Sequence, residues 1–111
     1  MDVFTRGLVT LLLTRLDHAG DRTEALSQAI LAEDAPSAIA INAVLQRDLS
    51  AVEFYVRALE QLSGHTEVNA RAALGHAQRR ARLLRIHAWS LSCQRGTNTQ
   101  NATYAQHENH R

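Results

Sequence analysis

One seam constrains this chain more than any other feature. Ala70, Leu74, Ala77, Ala81, Leu84, Ala88 and Leu91 recur in alternating steps of four and three. That period keeps all seven on one side of an α-helix, whereas a strand would scatter them over both faces. Alanine and leucine at such positions let a second helix approach closely, so the segment must pack against another helix. Composition agrees: the chain is 45% hydrophobic but only 5% aromatic, and alanine, the best helix former, dominates its apolar set. One proline, Pro36, and five glycines interrupt it. The expectation is an all-α protein, a small bundle or stacked helical hairpins of four to five helices. At 111 residues it is one domain. That domain should cover residues 1–93, with a flexible polar tail at 94–111, where apolar periodicity stops.

The cleanest amphipathic stretch is Asp48–Leu62, DLSAVEFYVRALEQL. Val52, Tyr55, Val56, Leu59 and Leu62 fall on one side. Glu53 precedes Arg57 by four, the favourable order for a helical ion pair. Asp48 suits an N-cap, and Gly64 suits the left-handed residue after the last turn. Whether residues 36–62 form one helix or break at Arg47-Asp48 is left open by the pattern. Phe54 lies off the stripe, either in a second buried ridge or as an exposed anchor for a partner.

Elsewhere the chain reads as follows. A first helix is expected from about Asp2 to Asp17, with Phe4, Leu8, Leu11, Leu12 and Leu16 on one face. His18-Ala19-Gly20-Asp21 reads as a break. Asp21 and Glu24 then open a second helix over Arg22–Glu33 with capping-box spacing. Pro36 begins another helix. The last helix starts near His65 or Thr66. In it Leu83, Ile86 and Trp89 form a second ridge, so its C-terminal end should be the more buried. Cys93 is expected at that helix's C-terminus.

Charge is uneven. Residues 1–67 hold ten carboxylates and five arginines, net −5; residues 68–111 hold one carboxylate and seven arginines, net +6. Arg79, Arg80, Arg82 and Arg85 are the most functional-looking set. They suit an acidic protein surface, the phosphates of nucleic acid, or the chain's own acids Asp17, Glu24, Glu33 and Asp34. The pI near 8.1 is mild for a dedicated nucleic-acid binder. A lone cysteine excludes an internal disulfide and points to a reducing, cytoplasmic setting. The apolar run Gly7–Thr14 is too short to span a bilayer.

No phosphate-binding loop or nucleophile–base pattern is present, so the expectation is a non-enzyme without a cofactor or metal. A ferritin-like carboxylate–histidine bundle is the metal alternative, with Asp48, Glu53, His76 and His87 as its nearest approach. It lacks the Glu-x-x-His pairs such a site uses. The remaining classes are a protein-binding adaptor or chaperone able to self-associate, and a small nucleic-acid-binding regulator.

Two stretches echo each other: GDRTEALSQAILA at Gly20–Ala32 and DLSAVEFYVRALE at Asp48–Glu60, with Ala25/Ala32 and Ala51/Ala58 as matching pairs. The second resembles the second helix of a tetratricopeptide repeat, in which small, aromatic and small residues fall at steps of four and three, here Ala51, Tyr55 and Ala58. Ser63 stands where that family has proline. The resemblance implies stacked helical hairpins that bind a peptide or a partner helix, as type III secretion chaperones do.

Overall fold

Alternating small and branched apolar residues give this chain three long helices. The computed structural model describes the backbone of residues 2–64 and 68–109, with side chains described through Gln94. Helix α1 spans Val3–Leu31, α2 spans Ala35–Ser63 and α3 spans Val68–Asn109. The short connection between α1 and α2 makes them antiparallel, and α2 lies at the centre: its interface with α1 is the most extensive, that with α3 is next, and α1 and α3 touch least. With 42 residues against 29, α3 outruns the hairpin by roughly 20 Å at 1.5 Å per residue. The molecule is accordingly a rod of 75 × 17 × 17 Å.

The all-α class holds, but the helices number three among the described residues, not four to five. The expected break at His18–Asp21 is absent, and the open question at Arg47-Asp48 resolves to a continuous helix. His18–Asp21 lies inside α1, and Gly20 keeps helical dihedrals, since the positive-φ residues described are only Glu33 and Gly64. A glycine inside a helix costs about 1 kcal/mol relative to alanine. A break there would take Ala19, Thr23 and Leu26, all buried against the other helices, out of register. Asp21 therefore caps nothing. Residues 36–62 form one helix, so Asp48 is not an N-cap either; it sits in the middle of α2, 4% exposed. The expected start at His65 or Thr66 lies outside the described residues. Past Gln94 the backbone of α3 continues as helix to Asn109, so the composition change at 94 is not an end of secondary structure. Propagating an existing helix adds one hydrogen bond per residue without a new nucleation step. Cys93 consequently lies within α3, exposed, and not at its C-terminus.

Helix ends obey local chemistry. The Thr5 N–H donates to Asp2 Oδ1 at 2.7 Å, capping α1 and holding the Asp2 carboxyl below the usual carboxylate range. That cap is present above the ordinary carboxylate pKa and is lost only as pH falls through the lowered value. At the other end the Asp34 N–H donates to the Ala29 carbonyl (2.9 Å) and the Glu33 N–H to the Ile30 carbonyl (3.0 Å). This is a Schellman motif, with Glu33 rather than glycine in the left-handed position at φ 57°. Asp34 Oδ1 then accepts from the Ser37 N–H at 3.3 Å, and Pro36 occupies the first turn of α2. Gly64, at φ 71°, ends α2 as expected.

The core is one cluster drawn from all three helices. Leu8, Leu12, Ala19 and Leu26 of α1 meet Leu45, Leu49, Val52, Val56 and Leu59 of α2, while α3 adds Leu74, Ala81 and Ala88. The alanine–leucine seam is thus the packing face of α3, with Ala70, Ala77 and Leu84 half-buried at its margins. Truncating Leu26 or Leu45, both fully enclosed, to alanine should cost about 3 kcal/mol. Among the described residues two ion pairs join the helices. Arg71 of α3 donates from Nε and Nη2 to both carboxylate oxygens of Glu60, the latter at 2.7 Å. Arg15 Nη1 of α1 donates to Asp48 Oδ1 at 3.1 Å, while Asp48 Oδ2 is buried and accepts no hydrogen bond from the protein. The Glu53–Arg57 pair forms as the spacing predicts, at 2.8 Å on the surface.

Stability measurements on four variants test these features. Glu33→Gly should raise unfolding stability by about 0.5–1 kcal/mol by relieving the left-handed residue, whereas Gly64→Ala should lower it by about 1 kcal/mol. Denaturant titration followed by helical circular dichroism measures both. Arg15→Leu should cost about 2 kcal/mol, less than a fully buried pair because Arg15 is half-exposed. The double variant Arg15→Leu/Asp48→Leu should return to within about 1 kcal/mol of the parent. A double variant as weak as the single one would show that the pair is intrinsically stabilising.

Candidate functional site

The second ridge expected on α3 is not buried. Leu83, Ile86 and Trp89 are 61%, 54% and 72% exposed. The reason lies in the seam beside them. Ala88 and Ala81 already fill the packing face of α3, and Trp89 projects about 100° around the helix from Ala88. Backbones held close by alanine leave no interior volume for an indole.

Ile86 and Trp89, but not Leu83, border a groove between α2 and α3. Its apolar section, about 570 Å³, is lined by Ile39 and Asn42 of α2 and by Arg85, Ile86, Ala88 and Trp89 of α3. Its polar section, about 350 Å³, is lined by Gln46, Leu49, Ser50 and Glu53 facing Gln78, Arg82 and Arg85. Arg85 belongs to both, so the two sections form one trough with an apolar end and a basic middle.

The candidate arginines separate on this geometry. Arg82 and Arg85 line the trough; Arg79 and Arg80 are exposed outside it. Arg80 lies about 160–200° around α3 from Arg82, so the four do not make one continuous cationic face. Among the described residues none of the four has an ion-pair partner, so the alternative in which they pair with Asp17, Glu24, Glu33 or Asp34 is not formed. Phe54 is 66% exposed and not in a second buried ridge; its ring meets Tyr55 edge-on at 5.8 Å. It stands on the outer surface of α2, beside but not in the trough.

The residues of the metal alternative do not converge. Asp48 is engaged by Arg15, Glu53 by Arg57, and His76 and His87 are exposed. Among the described residues no three of His, Cys, Asp and Glu stand close enough to share an ion. No helix among them is long and apolar enough to cross a membrane.

Sequence reasoning missed Ile39, Ile86 and Trp89 as surface residues. The available signal was the seam itself: a helix whose packing face is already complete must carry its remaining large apolar residues outside. Comparison with known proteins gives no match, whether to a protein-family model, a curated protein or a solved structure.

Neighbouring residues test this geometry. Trp89→Ala should change stability by less than about 0.5 kcal/mol, against about 3–5 kcal/mol for a buried indole. Ala88→Leu, one residue away but enclosed, should cost about 1–3 kcal/mol through overpacking.

Proposed function

We propose that this protein is a non-catalytic interaction module, a small adaptor or chaperone that receives a helical segment of another polypeptide in the α2–α3 trough. The observation that carries this reading is the clustering of exposed Ile39, Ile86 and Trp89 at one end of a trough, beside two arginines that have no ion-pair partner among the described residues. Exposed aromatic and aliphatic anchors next to arginine are the composition of binding hot spots. A trough between two packed helices offers a third helix its natural seat, with apolar residues at three- and four-residue spacing filling the apolar end. Phe54 and Arg79 lie around this seat as peripheral contacts, while Arg80, on the opposite face of α3, stands apart from it. The chaperone class, type III secretion chaperones among its examples, and the repeat-like character of Asp48–Glu60 belong to this proposal. The division of the arginines between different faces of α3 favours a protein partner over nucleic acid, for which a continuous cationic stripe is the usual footprint.

A photo-reactive amino acid at position 86 tests the reading in living cells of the source organism. The expected product is a covalent adduct with a polypeptide, lost when Arg85→Glu is added. Adducts confined to nucleic acid, or none at all, would contradict it.

A further inference from the structure

We propose that the occupant of the α2–α3 trough is the outer face of α1 from a second copy of this chain. The inference rests on the trough being a protein-binding surface and names its partner.

The second half of the surface match is on α1 itself. Leu13, Asp17, Gly20, Glu24 and Leu31 fall within about 60° of one another around the helix, with Asp21 at their edge. All are exposed. Leu13 is 56% exposed, and neither Asp17, Asp21 nor Glu24 has an ion-pair partner among the described residues. The face is an apolar residue followed, at successive helical turns, by acids. The trough is its complement: Ile39 and Trp89 at the apolar end, then Arg85 and Arg82 at successive turns of α3. Placed antiparallel to α3, the helix seats Leu13 against Trp89 and Ile39, sets Asp17 opposite Arg85 and Asp21 opposite Arg82. The steps agree: four residues from Leu13 to Asp17 as from Trp89 to Arg85, then four against three. Gly20 faces the trough in this arrangement, and a Cβ added there would meet nothing of its own chain, so the missing side chain is open to an approaching helix.

Charge complementarity argues for a copy of the same chain over any other occupant. Residues 1–67 carry net −5 and residues 68–111 net +6, yet among the described residues Asp17, Asp21 and Glu24 form no ion pair with Arg82 or Arg85 of the same chain. The two surfaces differ, so the contact is heterologous: each copy offers one trough and one α1 face, and association builds rings or open chains rather than a single two-fold dimer.

Two variants test this by sedimentation at low salt. In the first, Arg82→Glu/Arg85→Glu reverses the trough; in the second, Asp17→Arg/Asp21→Arg reverses the α1 face. The parent should associate with rising concentration and lose at least roughly tenfold in affinity at about 1 M salt, where the screening length is about 3 Å. Each variant alone should stay monomeric with parental helicity, and an equimolar mixture should associate again. A parent that stays monomeric at every concentration, or a second variant that still associates by itself, would overturn the proposal. If the parent is monomeric while the residue-86 cross-linker captures a different polypeptide, the occupant named here is wrong and the protein-binding reading stands. If neither experiment yields a protein contact, both fall.

Discussion

The close approach of three helices on small side chains is the constraint from which the rest of this structure follows. Ala19, Ala29 and Ala38 on the α1–α2 side and Ala81 and Ala88 on α3 are enclosed. Where alanine occupies the contact, backbones approach to the short end of the usual interaxial range. Branched residues of moderate size, Leu45, Val52 and Val56, then fill what interior remains. The resulting core is tight and thin. Larger residues have no volume to enter, and Phe54, Ile86 and Trp89 stand outside for the same reason that the seam is closed. A stable packing face and an apolar trough beside it are two consequences of one choice of residue size.

How much of this was legible in the sequence depends on the range of the interaction. Features set within one or two helical turns were readable: the alanine–leucine seam, Pro36 at the start of α2, Gly64 at its end, and the Glu53–Arg57 pair. Each needs only local dihedral preference or helical spacing. Features decided by packing across helices were not. Gly20 and Asp48 both carry local signals for a break, and both lie inside helices because the α1–α2 interface outweighs a local cost of about 1 kcal/mol. The Arg15–Asp48 pair joins residues 33 apart, and no spacing rule points to it.

The site was half legible. The arginines announced themselves as a charge cluster, but the sequence could not separate Arg82 and Arg85, which line the trough, from Arg79 and Arg80, which do not. Trp89 and Ile86 were readable as apolar and helical but not as exposed. Periodicity reports which residues share a side; it does not report how much volume the neighbouring helices leave open. That volume is set by alanines on both sides of the contact, a property of the assembled bundle.

The division of charge connects the fold to its function. The pairs that do form, Arg15–Asp48, Arg57–Glu53 and Arg71–Glu60, serve the fold: two join helices and one lies along α2. Among the described groups outside those pairs, Asp17, Asp21 and Glu24 stand on the exposed side of α1 and Arg82 and Arg85 in the trough. Trp89 is the one tryptophan of the chain, so its emission reports on the trough alone. The most direct measurement is therefore quenching of Trp89 by a neutral small-molecule quencher across a dilution series at low and high salt. A filled trough predicts strong protection at high protein concentration and low salt, lost on dilution or on adding salt. Quenching that stays at the level of a free indole under every condition would contradict it.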